Sequence, residues 1–196
     1  MKEILKMIVM LLLFSSFFGC QIDPNPCSLS EKVLLDISSL DSLIKSPKIQ
    51  ERIRDQMMGN YNEPSLLDAN VETYRFVWHS SFNGSEVYRV EKSNDKIEVT
   101  KKVFVNNQDS IGTTSQFSIS EKSWLNIKDS LDKVDFWIYP TSIDRNGLDG
   151  SSWILEGYSP IKNKCTHQNY HYTFRWSPND TTFIAMCKLL YNLKEE

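Results

Sequence analysis

Residues 73–93 read TYRFVWHSSFNGSEVYRVEKS. Tyr74, Phe76 and Trp78 alternate with Arg75, Val77 and His79, and Val87, Arg89 and Glu91 alternate with Tyr88 and Val90. A period of two residues is that of an extended strand, whose side chains point to opposite faces in turn. Asn83-Gly84 between the two runs is a hairpin signal, since both residues accept the positive φ that tight turns require. The stretch therefore predicts an antiparallel hairpin, which places a sheet in the middle of the chain.

Downstream, Ile97, Val99, Val103 and Val105 predict a third strand, and Phe117 with Ile119 a fourth, so the hairpin extends into a meander. Helical spacing replaces alternation on both sides of it. Upstream, Ser28-Leu29-Ser30-Glu31 has capping-box spacing before Val33, Ile37, Leu40 and Ile44. Ser46-Pro47 then opens a second apolar stripe of Ile49, Ile53 and Met57 that ends near Gly59. After the meander, Ser118-Ile119-Ser120-Glu121 precedes the stripe Trp124, Ile127, Leu131 and Val134, which stops before Pro140. A last helix begins near Thr181, capped by Asp180 or Thr181, with Phe183, Met186, Cys187 and Leu190 inward. Such segregation predicts an α+β fold: N-terminal helices, then an antiparallel meander of about five to six strands with helices packed on one face.

The densest segment lies between residues 147 and 178. In one strand Trp153 and Leu155 oppose Ile154 and Glu156; in the next, Tyr172, Phe174 and Trp176 oppose His171, Thr173 and Arg175. Pairing that brings the two aromatic sets onto the core face would leave Glu156 and Arg175 together on the other, as a cross-strand ion pair. The residues DGSSWILEG at 149–157, Tyr172 and RWSP at 175–178 resemble a carboxy-terminal pattern, D-G-x-x-W-x-x-E-G followed by R-W-S-P, of uncharacterised bacterial proteins. The resemblance covers about a quarter of the chain and implies a shared fold; it carries no activity. Asp149, Trp153, Glu156, His171, Arg175 and Trp176, with Trp137 and Tyr139 close in sequence, are the expected rim of a recognition surface for a peptide, a glycan or a partner protein.

The amino terminus bears on location. Lys2 and Lys6 precede an apolar run from Met7 to Phe18, far shorter than the roughly 20 residues of a spanning helix. The run ends in Phe17-Phe18-Gly19-Cys20. Bulky residues at 17 and 18 do not make an A-x-A cleavage site, whereas Gly19-Cys20 resembles the lipobox of bacterial lipoproteins, in which the cysteine becomes the acylated mature terminus. The resemblance implies a signal peptide over 1–19, a diacylated and further acylated (palmitate-type) Cys20, a tether over 20–28 and one domain over 29–196. Two or more acyl chains are what stable anchoring needs. Gln21 in place of Asp points to the outer membrane under the enteric sorting pattern.

The net charge of −3 is dispersed, without a basic block, so no nucleic-acid partner is expected. An exported compartment permits disulfides, and Cys165 with Cys187 is the expected pair because Cys27 lies in the tether. G-x-S-x-G, H-E-x-x-H and a glycine-rich phosphate loop do not occur in the chain. Cys165, His167, His171 and Cys187 offer zinc-type donors but lack a C-x-x-C half-site. Asp144 and Asp149 match no EF-hand spacing, so neither a metal nor a cofactor is expected. Asp109-Ser110-Ile111 resembles the acceptor sequence of some bacterial O-glycosylation systems. Together these readings point to a lipid-anchored module that binds rather than catalyses, of immunity or inhibitor type. The rival is an envelope enzyme using Glu156, Asp149 and a histidine as acid and base.

Overall fold

The structure is a computed structural model that describes residues 58–94, 96–105, 111–143 and 150–196. The expected leader, Cys20, the expected tether and most of the N-terminal apolar stripes lie outside the described residues, as do Asp109, Ser110, Asp144 and Asp149. Strands β1 (Glu72–Ser80) and β2 (Gly84–Ser93) form the expected hairpin. Its turn is Ser81-Phe82-Asn83; Gly84 opens β2 at φ 83°, in the left-handed region that favours glycine. Ser80 Oγ accepts from the amides of Phe82 and Asn83, closing the loop.

Strands β3 (Lys96–Phe104) and β4 (Ile111–Ser118) continue the meander outward from β2. On the other side of β1 the chain returns as β6 (Ser151–Tyr158) and β7 (Tyr170–Trp176), both antiparallel, and the two-residue β5 (Ser142–Ile143) runs parallel beyond β7. The order is β4-β3-β2-β1-β6-β7-β5, an open sheet whose six longer strands are antiparallel. With two α-helices alongside, the described residues form a mixed α+β fold. β1 lies at the middle of this order and is buried along most of its length.

Helix α1 (Glu121–Asp132) starts at Ser120, whose hydroxyl accepts from the Ser123 amide; the cap is thus two residues later than the spacing of Ser118 predicts. Helix α2 (Thr181–Tyr191) is capped by Asp180 through the Phe183 amide. Trp124, Ile127 and Leu131 of α1 and Phe183, Met186, Cys187 and Leu190 of α2 join Tyr74, Phe76, Tyr88, Val90, Val99 and Leu155 in one apolar cluster. A smaller cluster holds Met58 and Tyr61 against Val77, Val87, Phe104 and Ile154 of the opposite sheet face. That face is thus in contact with the segment that leads into β1 and includes a 3-10 turn, Leu66–Asp68. Among the described residues no helix is long and apolar enough to cross a membrane.

Two sequence expectations are overturned. Trp153 stands opposite Arg175, and Ile154 opposite Phe174, in the β6–β7 register. Residues directly opposite share a face, so Trp153 and Leu155 project with His171, Thr173 and Arg175, while Glu156 projects with Tyr172, Phe174 and Trp176. Glu156 and Arg175 are therefore on opposite faces and do not pair. Alternation identifies the two sets within a strand and leaves the match between strands open by one residue. The second correction concerns sulfur. Cys165 is disulfide-bonded whereas Cys187 is a free, buried thiol, so the two do not pair. Cys187 faces the core from α2, where burial pushes its pKa well above the ordinary thiol value and suppresses the reactive thiolate. In peptide-mapped alkylation, Cys187 should stay unlabelled in the native protein and react in denaturant without reductant, while Cys165 should require a reductant. Labelling of native Cys187 would contradict this packing.

Candidate functional site

Arg75 occupies the middle of β1 with its side chain only 1 % exposed. A buried guanidinium needs counter-charge, since an unpaired ion in a low-dielectric interior is heavily penalised. Its neighbour on β2 is another cation: Arg75 stands directly across from Arg89. On the other side the register places it opposite Glu156 of β6. Glu156 Oε2 accepts from Arg75 Nε at 2.6 Å and lies 2.6 Å from the Nη2 nitrogen, a two-pronged contact that favours arginine over lysine. Glu156 Oε1 accepts from the Tyr170 hydroxyl at 2.7 Å.

The repulsion between the two arginines is relieved from above. Glu63 lies 3.3 Å from Arg75, 3.2 Å from Arg89 and 2.7 Å from Lys102, with no exposed side-chain surface. The backbone beside it takes the remaining protons: Arg75 donates to the Pro64 carbonyl at 2.7 Å and Lys102 to the Asn62 carbonyl at 2.7 Å. Arg89 reaches Glu91 as well, at 2.8 Å. Three cations thus meet three carboxylates. Burial opposes the Arg75 charge, but Glu156 and Glu63 outweigh it and hold its pKa above the ordinary arginine value. Beside this network is a cleft of about 360 Å³, walled by Met58, Leu66 and Leu67 and floored by Glu63, Arg75 and Glu156.

The other candidate residues are elsewhere. Trp153 is half-buried on the helix-bearing face, its ring 5.3 Å from that of Phe76 and its Nε1 donating to Ser151 Oγ. Arg175, buried on the same face, lies over the Tyr139 and Phe183 rings at 5.5 and 5.1 Å and donates to the Phe174 and Pro140 carbonyls. Burial lowers its pKa and outweighs the opposing influence of Tyr139 and Asp180. His171 stands edge-on to Phe136 at 5.1 Å; burial drives its pKa down to about 4 despite a hydrogen bond with the Tyr139 backbone. Trp176 is on the face of Glu156 and pairs across from Ser152. The six candidates therefore do not form one rim: of the five that are described, three project on the helix face and two on the other.

With this geometry in view, comparison with protein-family models, with curated proteins and with solved structures finds no match to the chain. The described residues of D-G-x-x-W-x-x-E-G, from Gly150 onward, have packing reasons of their own. Trp153 packs against the core cluster and Glu156 neutralises Arg75. A Cβ on Gly157 would come within 2.7 Å of the Phe136 ring, and one on Gly150 within 2.1 Å of Ser177 Oγ. Among the described residues no group of three or more histidine, cysteine or acidic side chains is placed to hold a metal ion.

Arg75, Glu63, Arg89, Lys102 and Tyr170 belong to no motif in the sequence. One signal was present: β1 carries large apolar residues on both faces, Tyr74 and Phe76 on one and Val77 on the other, so an arginine between them is destined for burial. Its partners are far away in sequence and carry no such mark.

Arg75→Ala leaves two buried carboxylates short of charge and should lower unfolding free energy by about 3–5 kcal/mol in urea titration. Tyr170→Phe, which removes one hydroxyl from Glu156, should cost roughly 1–3 kcal/mol. An Arg75→Ala loss no larger than that of Tyr170→Phe would show the network to be open to water. For His171 the folded pKa of about 4 lies below the ordinary 6.5, so the unfolded chain binds the proton more readily. Its stabilising contribution is complete above about pH 6.5 and falls by about 3 kcal/mol as pH descends to about 4. His171→Leu should flatten that part of the stability–pH curve.

Proposed function

We propose that this chain is a lipid-anchored lipoprotein of the bacterial cell envelope, held at the outer membrane through Cys20, whose α+β domain acts as a binding module. The anchor rests on the order of the first residues: Lys2 and Lys6, the apolar run, then Gly19-Cys20 followed by Gln21. The amphipathic stripes over residues 29–59 complete the domain as helices, and the likeness to proteins carrying D-G-x-x-W-x-x-E-G and R-W-S-P reflects a common fold.

The observation that carries the binding reading is the divergence of Glu156 and His171. Glu156 Oε2 is held by Arg75 and Oε1 by Tyr170, on one face. His171 projects from the opposite face, beside Phe136. An acid–base pair must converge on one reacting group within hydrogen-bond reach, and these two are separated by the sheet. A glutamate with both oxygens committed is suited to holding structure, and recognition falls to the surfaces around it. An inhibitor-type protein that masks another protein is one form this module takes.

Metabolic labelling with a fatty acid, followed by membrane fractionation, tests the anchor. Labelled protein should sediment with outer membrane, and Cys20→Ser should abolish the label and release the domain. Undiminished labelling of Cys20→Ser would refute lipidation at this residue.

A further inference from the structure

A second cleft, of about 410 Å³, lies at the edge of the helix-bearing side. Its walls come from four places in the chain: Lys128 and Asp132 on α1, Trp137 in the 3-10 turn Phe136–Ile138, Glu72 and Tyr74 at the start of β1, and the loop from Ser159 to Cys165. Tyr74 and Trp137 are also held by the core, whereas the loop from Ser159 to Cys165, Lys128 and Asp132 lie outside it and outside the Arg75 network.

The loop wall is preformed. The Asn163 carboxamide oxygen accepts from the amides of Cys165 and Thr166, at 2.8 and 3.1 Å, and Asn169 bonds the Ser159 carbonyl at 2.8 Å. Ser159 in turn donates its amide to the Asn169 carbonyl. Cys165 is also disulfide-bonded. A wall ordered before binding spares a ligand the entropy of ordering it.

The chemistry of the lining is mixed in a particular way. Glu72 is already engaged, by Lys128 at 2.9 Å and by the Tyr74 hydroxyl at 3.4 Å. Asp132 makes no side-chain hydrogen bond or ion pair among the described residues. Burial and the nearby carboxylates Asp129, Glu72 and Asp135 raise its pKa, with Lys128 opposing them. The loop adds Lys162, Asn163 and Lys164 to the same lining. Trp137 is half-buried, its ring 6.5 Å from that of Tyr74 and 5.4 Å from that of Phe136, and Ile161 beside it is 79 % exposed.

An anion entering here meets Glu72 and Asp132, and a cation meets three lysines, so neither charge gains a clear field. A wholly apolar ligand strips water from those polar groups without replacing its hydrogen bonds. A polyhydroxylated neutral molecule suits both parts of the lining. A hydroxyl can donate to the Asp132 carboxylate and accept from a lysine ammonium or the Asn163 carboxamide N–H, while the C–H face of a sugar ring packs on an indole. Pockets of about 300–1,000 Å³ are the usual size for small ligands.

We propose that the cleft between α1, Trp137 and the Ser159–Cys165 loop is a binding site for a neutral saccharide, with Trp137 as the stacking platform and Asp132, Asn163 and the loop lysines as the hydroxyl partners. The inference rests on the binding-module reading and adds the place and class of ligand.

The test uses the full anchored chain in a detergent without a sugar headgroup. Maltose, cellobiose and N,N′-diacetylchitobiose are titrated by saturation-transfer NMR and by tryptophan fluorescence. At least one should bind saturably, and Trp137→Ala and Asp132→Asn should each weaken it about tenfold, the worth of one charged hydrogen bond or stacking contact, with unchanged thermal midpoints. If Trp137→Ala fails to fold, Trp137→Phe with Asp132→Asn carries the same test. Saturation by none of the three sugars, equal binding by the variants, or preference for glucuronic acid over the neutral sugars would each overturn the assignment. If the sugars fail but a defined envelope protein binds the chain and tolerates Trp137→Ala, the cleft assignment falls while the binding-module reading stands.

Discussion

The rest of the sheet is arranged around one buried charge, that of Arg75. A guanidinium at the centre of a central strand has to be neutralised where it stands, because the interior offers no water to do it. Its register partners make the difficulty plain. Arg89 on β2 adds a second cation directly alongside, and Glu156 on β6 answers only the first. Glu63 therefore has to come from outside the sheet, and it brings its own segment down over Arg75, Arg89 and Lys102. The same contacts that satisfy the charge seat Tyr61 and Leu66 on the sheet and cover its second face. A one-residue slip of β6 would move Glu156 to the helix face and leave Arg75 to share Glu63 with Arg89 and Lys102, so the ion pair selects the register alongside apolar burial.

The two arginines of the site region show how differently a sheet treats the same side chain on its two faces. Arg75 is held by carboxylates and its charge is reinforced; Arg175 is held by aromatic faces and backbone carbonyls, and burial weakens its charge. Arg175 links the end of β7 to the Pro140 carbonyl and to Phe183 of α2. Asp180 caps that helix and accepts from Tyr139 as well, so the 3-10 turn, β7 and α2 share one polar joint. Gly157 permits the approach of Phe136 to β6 that positions this joint and, with it, Trp137 at the rim of the second cleft.

Strands β1 to β4 and helices α1 and α2 were legible in the sequence, because each displays its own period and is bounded by turn or cap residues that act locally. The candidate site was less so. The alternation of the two strands suggests Arg175 as the partner of Glu156, whereas its partner is Arg75, some eighty residues earlier. Trp176 and Arg175 are adjacent in sequence and were expected to serve one surface, and the pleat sends them to opposite faces. The sulfur chemistry was misassigned for a similar reason. Cys187 has the spacing of a core residue on α2, and that inward position keeps it apart from Cys165.

The sequence by itself determined the strands of the meander, the two described helices and their apolar faces, because these properties depend on neighbours a few positions apart. The tertiary structure alone decided that β6 and β7 adjoin β1, with which register, and hence which charges meet. Those outcomes depend on residues tens of positions apart competing for one buried place, and the competition is settled by the requirement that Arg75 not remain unpaired in the interior.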